Sequence, residues 1–172
     1  MFLSRKSLFT RAAAVTGLVF AAFLFICCTM DESDDFVDDG KLDLRLIGTW
    51  IGDYDTYIIT EENHLTYDDD GWFPFAGEIV HVVNFSKTSG VLIIKYDEGK
   101  EQPTTPPDNY FYGIYFRNLT DNSVIFSNTS DMKNDWGPSE TATKEEAINR
   151  FKLDNMTDWI SFDAGATPHS KE

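Results

Sequence analysis

Apolar and polar residues alternate in short runs over most of the chain after residue 45, a pattern typical of half-buried β-strands. Eight such runs, each of five to nine residues, are rich in β-branched and aromatic side chains and are separated by turn-forming residues. The predicted strands are 46–51, 55–60, 64–68, 78–85, 91–96, 110–118, 123–127 and 158–162.

One stretch follows the period of an amphipathic helix instead. Thr143 and Glu146 have the spacing of a capping box, in which each side chain accepts a hydrogen bond from an amide at the helix start. Ala147, Ile148 and Phe151 then share one face. The pattern predicts a helix from Thr143 to about residue 153, lying against a wall of the fold or over an opening.

Eight sequential strands, mostly joined by turns, predict an all-β fold: an eight-stranded up-and-down antiparallel barrel. A two-layer sandwich of the same strands is the alternative. In an up-and-down barrel, successive connections alternate between the two ends. The short connections predicted at one end are 61–63, 86–90 and 119–122. Those at the other end are the turn at 52–54 and the long connections 69–77, 97–109 and 128–157.

The first predicted strand contains Gly48 and Trp50, with a β-branched residue between them. Together with the strand layout and the one tight end, this Gly-Thr-Trp stretch resembles the lipocalin family, over roughly residues 44–163. The resemblance implies a barrel closed near its N-terminus, with an open mouth at the opposite end. It departs in one respect, since the lipocalin helix follows the eighth strand and only seven predicted strands precede it here. A further strand within 128–142 would restore the order.

Residues 1–28 are organised like a secretory signal, with basic residues first, then an apolar run, then small residues. The two cysteines that end the run resemble the acylation site of bacterial lipoproteins. The resemblance implies lipidation of Cys28, or else of Cys27. It also implies a lipid anchor in the bacterial cell envelope, either periplasmic or at the outer-membrane surface. An uncleaved membrane helix over residues 12–30 is the alternative, because a span needs about 20 residues.

Residues 29–43 are strongly acidic and predict a solvated tether, whereas residues 44–172 predict one folded domain. The chain carries 29 acidic and 14 basic residues, for a net charge of −15. This charge argues against nucleic-acid binding, because phosphate backbones select basic surfaces. The sequence has no cysteine after Cys28, so the core rather than disulfides must stabilise the domain.

Alternate residues of the predicted strands are expected to point into the barrel. These residues are Leu65, Tyr67, Ile79, His81, Val83, Phe85, Tyr110, Tyr112, Ile114, Phe116, Val124 and Phe126. An eight-stranded barrel is either filled by such side chains or holds one small ligand, and both interpretations stay open. Tyr112 is a candidate ligand contact. His81, on an otherwise apolar face, is either a polar anchor inside the cavity or a satisfied core or rim residue.

The predicted connection at 69–77 contains three large aromatic residues, Trp72, Phe73 and Phe75, which is unusual for a solvent-exposed loop. Exposed apolar clusters often mark binding surfaces, so these residues form a candidate lid or contact patch. The alternative is that the rings fold back as a plug. Trp136, in another long connection at the same end, is a further candidate contact.

No nucleophile elbow or phosphate loop is present, so the sequence predicts no enzyme. The histidines have no metal-ligand spacing, so it predicts no metal and no cofactor. The sequence is consistent with two functions. The first is a lipid-anchored, non-catalytic binding protein whose barrel holds a small apolar ligand. The second is a filled barrel that binds a protein or other macromolecule through its long-loop face.

Overall fold

Eight β-strands form one closed barrel in the computed structural model, which describes residues 39–69, 74–97, 110–131, 139–159 and 166–172. The strands are β1 (Gly48–Ile51), β2 (Thr56–Ile59), β3 (His64–Asp68), β4 (Phe75–Ser86), β5 (Ser89–Tyr96), β6 (Phe111–Arg117), β7 (Ser123–Asn128) and β8 (His169–Lys171). The helices are the 3-10 segments η1 (Leu44–Leu46) and η2 (Leu153–Asn155) and the α-helices α1 (Lys144–Arg150) and α2 (Met156–Trp159). None of these described helices is long and apolar enough to cross a bilayer.

Every strand pairs antiparallel with its neighbours in sequence, and β8 also pairs with β1 to close the ring. Trp50 of β1 lies opposite Tyr57 of β2 on one side and Lys171 of β8 on the other. The predicted eight-stranded up-and-down barrel is therefore confirmed. The two-layer sandwich is wrong, because the described strands form a single closed sheet.

The strand predicted at 158–162 is wrong at its first two residues, because Met156–Trp159 form the helix α2. Residues 160–162 lie outside the described residues. The strand that closes the barrel is β8, which is three residues long. Three residues are too few to show an alternating pattern, so the sequence favoured the longer apolar run before them. Helix α1 consequently lies between β7 and β8, and the described part of 128–142 adds only isolated bridges to the barrel wall.

Because successive strands run in opposite directions, successive connections leave from opposite ends of the barrel. The turns at 60–63, 87–88 and 118–122 lie at the end where β1 begins, which we name the short-loop end. The turn at 52–55 and the connections after β3, β5 and β7 leave from the opposite end, which we name the long-loop end. This arrangement agrees with the predicted alternation of connections.

Trp50 is fully buried, and its indole is held toward the short-loop end. The indole N–H donates to the carbonyl oxygen of Leu46 in η1, at 2.7 Å. Lys171 covers the ring with its Nζ 5.2 Å from the ring centroid, and that ammonium donates to the carbonyl of Arg45 at 2.9 Å. The Trp therefore joins the chain that enters the barrel to the strand that closes it.

Gly48 provides the space that this arrangement needs. Its φ is +141°, a conformation that other residues rarely adopt, and a Cβ there would lie 2.6 Å from Cε of Lys171. The stem of Lys171 crosses directly over the glycine on its way to Trp50. The Gly-Thr-Trp stretch is thus explained by one packing arrangement between β1 and β8.

A β-bulge in β4 changes which of its residues face inward. The register shifts between Ile79 and His81, so two successive residues take one side of the strand. Ile79 and Val82 belong to the interior cluster, whereas Val83 packs in the cluster on the outer wall. The prediction that His81, Val83 and Phe85 point inward with Ile79 is therefore wrong. Strict alternation cannot be read through a bulge.

Helix α1 lies against the outer wall of β4, β5 and β6. Thr143 caps it as predicted, since its Oγ1 accepts a hydrogen bond from the amide of Glu146 at 3.1 Å. Phe151, directly after the helix, is fully buried, and a Cβ on Gly113 of β6 would lie 2.8 Å from its ring. The outer cluster comprises Val83, Val91, Ile93, Tyr115, Ala147 and Phe151, with Val80, Phe85, Phe111, Ile148 and Met156 packed against it.

Residues 39–43 are the described part of the predicted acidic tether, and they lie along β4. The amide of Val82 donates to the carbonyl of Gly40 at 3.2 Å, and Leu42 packs against the interior cluster. This contact lies beyond His64, the first residue of β3, which pairs with Glu78. The segment therefore covers a length of β4 that β3 does not reach.

Candidate functional site

Aromatic side chains that contact one another line the inner wall at the long-loop end, and we name this group the aromatic belt. Its members are Tyr57, Tyr67, Phe75, Tyr96, Tyr112, Phe126 and His169. Most of them lie within two residues of a strand end at the long-loop end, because their strands start or finish there. The closed, alternating barrel thus brings together aromatic residues from seven different strands.

The belt rings are in direct contact with one another. Tyr67 stacks on Phe75 with centroids 4.9 Å apart, and the ring of Phe75 meets that of Tyr112 edge-on at 5.8 Å. Tyr57 and Phe126 lie 4.4 Å apart, although β1 and β8 separate their strands in the sheet. Rings from several strands therefore project into the interior and contact one another. Their stacked and edge-on arrangements are those that aromatic pairs prefer.

Exposure differs between the two ends of the interior. Leu46, Trp50 and Leu65, which lie deeper, are 0% exposed, and Phe116 and Leu119 are 1% exposed. The belt tyrosines are 2–9% exposed, with Tyr112 highest. The belt tyrosines are therefore slightly more accessible than the deeper residues, and Tyr112 is the most accessible of the four.

Burial raises the pKa of Tyr57, Tyr96 and Tyr112 above the ordinary value of a phenol. Neighbouring acidic groups add to this effect. Tyr67 raises the pKa of Tyr57, and Tyr112 raises the pKa of Tyr96. Glu140 raises the pKa of both Tyr96 and Tyr112. These phenols therefore stay protonated near neutral pH and can donate hydrogen bonds.

A hydrogen-bonded pair of His169 and Asp55 adds polar groups to the belt. Nε2 of His169 lies 2.8 Å from Oδ1 of Asp55. The imidazole makes T-shaped contacts with the rings of Tyr57 and Phe126, with centroids 5.2 and 5.3 Å apart. A carboxylate accepts, so Nε2 carries the hydrogen and Nδ1 is an acceptor in the neutral ring. Nδ1 is buried and has no hydrogen-bond partner among the described residues.

Hydroxyl groups fix the wall beside Tyr112. Thr129 Oγ1 donates to the carbonyl of Gly113 at 2.8 Å, and Ser139 Oγ donates to the carbonyl of Thr129 at 2.9 Å. The Tyr112 hydroxyl donates to the same Thr129 carbonyl at 3.4 Å. Residues on both sides of 132–138 are thereby held against β6.

The structure places the predicted site residues in different parts of the chain, and only some of them lie in the belt. Phe75 and Tyr112 both belong to the belt, but Phe75 begins β4 and does not lie in a loop. His81 is opposite Ile93, a residue of the outer cluster, so its predicted role as an anchor inside the barrel is wrong. Its ring lies beside Gly40. Trp72, Phe73, Trp136, Cys27 and Cys28 lie outside the described residues.

Sequence reasoning missed His169, Asp55 and Glu140. Nothing in their local pattern distinguishes them, because each gains its role from residues far away in the chain. Tyr96 carried a usable signal, since it continues the face of Leu92 and Ile94. Among the described residues, no three His, Cys, Asp or Glu side chains are grouped so that they would hold a metal ion.

Comparisons of the chain with protein-family models, with curated proteins and with solved structures give no match. The class that the fold defines is therefore a closed eight-stranded antiparallel barrel with an aromatic inner wall at one end.

The raised phenol pKa values predict alkaline unfolding. The unfolded chain loses its phenol protons near pH 10, whereas Tyr57, Tyr96 and Tyr112 hold theirs to higher pH in the folded barrel. This stabilisation is fully present below about pH 10 and is lost as pH rises further, at up to about 1.4 kcal/mol per tyrosine per pH unit. Urea unfolding from pH 9 to 11.5, with phenolate absorbance recorded in parallel, measures this loss. Full phenolate absorbance in a barrel that keeps its circular dichroism would contradict it.

Proposed function

We propose that the protein is a non-catalytic binding protein that holds a small, mainly apolar ligand at the long-loop end of its barrel. The observation that carries this proposal is the aromatic belt together with the unpartnered Nδ1 of His169. A buried polar atom without a partner costs about 1–3 kcal/mol, and native structures keep few of them. A ligand that donates to Nδ1 and stacks on Tyr57 and Phe126 would remove this cost.

The size of the barrel supports the same proposal. Eight strands enclose an interior that is just wide enough for side chains or for one small ligand. Here the belt residues are buried but 2–9% exposed, slightly more than Leu46, Trp50 and Leu65 at 0%. The ligand is therefore expected at the belt, with its apolar part between the rings.

A bound molecule should be visible by native mass spectrometry of the detergent-purified full chain. The expected result is an added non-covalent mass that organic solvent extracts. His169→Leu should lose that mass, because it removes Nδ1, whereas His64→Leu should keep it. His64 is a matched control, since it pairs with Asp97 at 3.1 Å on the outer wall, away from the belt. No added mass in the unmodified protein would count against the proposal.

The cellular address is part of the same proposal: a lipoprotein of the bacterial cell envelope, anchored through an acylated Cys28 or Cys27. The signal-like segment 1–28 and the acidic stretch that follows support it. The described chain enters the barrel at the short-loop end. An anchor before residue 39 would then leave the long-loop end facing away from the bilayer, accessible to ligand.

Replacing both Cys27 and Cys28 by Ser should release the protein from membranes, because the acylation sites are lost and lipid chains provide the attachment. Fractionation of cells and the intact mass of the mature chain measure this. A Ser variant of one cysteine alone identifies which residue is modified. A double variant that stays in the membrane at full length would instead indicate an uncleaved helix over residues 12–30.

A second candidate function is binding of a macromolecule through the long-loop face. It is favoured by exposed apolar side chains at the long-loop end: Tyr54 is 83%, Ile51 46% and Tyr110 38% exposed. Such residues often mark an interaction surface when they cluster. Cross-linking in intact cells through a photoreactive residue at position 54 tests it, with position 62 at the short-loop end as the control.

A further inference from the structure

Glu140 faces the interior beside Tyr112. Phe111 and Thr141 form a hydrogen-bonded antiparallel pair, in which each amide donates to the other residue's carbonyl at 3.1 and 2.9 Å. Phe111 packs against the outer cluster, so this pair faces outward. In an antiparallel pair the next residues along, Tyr112 and Glu140, face the opposite side. Glu140 therefore lies on the inner wall, next to the most exposed belt tyrosine.

The carboxylate of Glu140 is an acceptor without a donor. Its Oε2 is buried and has no hydrogen-bond partner within the described parts of the chain. The nearby Arg150 donates instead to the backbone carbonyls of Ser139 and Glu140, at 2.8 and 3.0 Å, and pairs with Glu146. Arg150 thus positions the backbone of residue 140 and makes no hydrogen bond to its Oε2 atom.

The surroundings of this oxygen suit a positive charge. Glu140 lies beside Tyr112 on the inner wall, and its carboxylate raises the pKa of both Tyr112 and Tyr96. The two rings are stacked at 5.8 Å, and the faces of aromatic rings attract cations. The net charge of −15 also raises the local concentration of cations around the protein. A neutral or anionic ligand would leave the charge at the buried Oε2 atom uncompensated.

We infer that the belt binds a small organic cation, a protonated amine carried by an apolar group. Glu140 Oε2 accepts the ammonium hydrogen bond, Tyr96 and Tyr112 enclose the charge, and the apolar group lies among the remaining belt rings. His169 Nδ1, on the other side of the belt, is a second acceptor for a ligand that carries two donors. This inference rests on the proposed function and specifies its ligand class.

Three probes of matched shape test the inference on the detergent-purified full chain: 2-phenylethylamine, neutral 2-phenylethanol and anionic phenylacetate. Isothermal titration at pH 7 should show the amine binding at least about tenfold more tightly than the alcohol, as expected for a charge-assisted hydrogen bond. Phenylacetate should bind most weakly, because Glu140 repels it.

Glu140→Gln should weaken binding of the amine by about 10- to 100-fold and change binding of the alcohol by less than about twofold. Glu61→Gln is the control, since it removes the same charge at an exposed position at the short-loop end and should preserve the amine preference. Melting curves check that both variants stay folded.

Equal affinity for amine and alcohol, or an amine preference that survives Glu140→Gln, would overturn the inference. Tight binding of the alcohol alone overturns the inference and leaves the proposed binding function intact. Binding of none of the probes also overturns it, and the native mass measurement then decides separately whether the barrel holds any ligand.

Discussion

Replacing Trp50 by Ala is expected to lower the free energy of unfolding by about 3–5 kcal/mol, the range for a fully packed large aromatic side chain. The indole is 0% exposed, and its N–H bond to Leu46 and its cover by Lys171 are lost together. The truncation also leaves a cavity where β1 meets the closing strand β8, so the effect should fall on closure of the barrel. Urea denaturation followed by circular dichroism measures the change.

Ile51→Ala, one residue further along β1, is the matched control for Trp50→Ala. Ile51 points outward and is 46% exposed, so its truncation should cost less than about 1 kcal/mol. Trp50→Phe should fall between the two, because it keeps an apolar ring but loses the indole donor. A loss under about 1 kcal/mol for Trp50→Ala would mean that the indole does not support the closed end.

Phe151→Ala should cost a similar amount, about 3–5 kcal/mol, because this ring attaches helix α1 to the barrel wall. Phe151 is fully buried in the outer cluster and occupies the space that the absent side chain of Gly113 leaves. Leu153→Ala is the control, since Leu153 is 54% exposed and only two residues away. Its effect should stay within about 0.5 kcal/mol.

Gly113→Ala tests the same packing from the opposite side. An added Cβ would lie 2.8 Å from the Phe151 ring, so the ring and the helix attached to it must move. Overpacking of this kind lowers the free energy of unfolding by about 1–3 kcal/mol. Combined with Phe151→Ala, which removes the ring, the glycine substitution should cost less than it does alone. Additive effects of the two substitutions would contradict the contact between them.

The barrel could be predicted from the sequence where side chains alternate without interruption. In β3, β6 and β7, Tyr67, Tyr112 and Phe126 point inward as their spacing indicates. In β4 the bulge after Ile79 reverses which residues face inward, and no local residue pattern predicts the bulge. Tyr110 was expected inside but is 38% exposed, because it precedes the first residue of β6.

The candidate site could be predicted only in part. Its apolar component follows from periodicity, so Phe75 and Tyr112 could be named as contacts. Its polar component arises from pairs distant in sequence: His169 meets Asp55 across 114 positions. The position of Glu140 depends on one pair of hydrogen bonds between Phe111 and Thr141. Such contacts depend on tertiary structure, which a single sequence does not display.

The three-residue strand β8 has a consequence for when the barrel can form. Trp50 pairs with Lys171, so the first strand must wait for residues synthesised about 120 positions later. Until then β1 and β7 each present an unpaired edge, and ordering so long a loop for a few hydrogen bonds makes closure slow. The order of synthesis itself would keep the domain open until its last strand emerges.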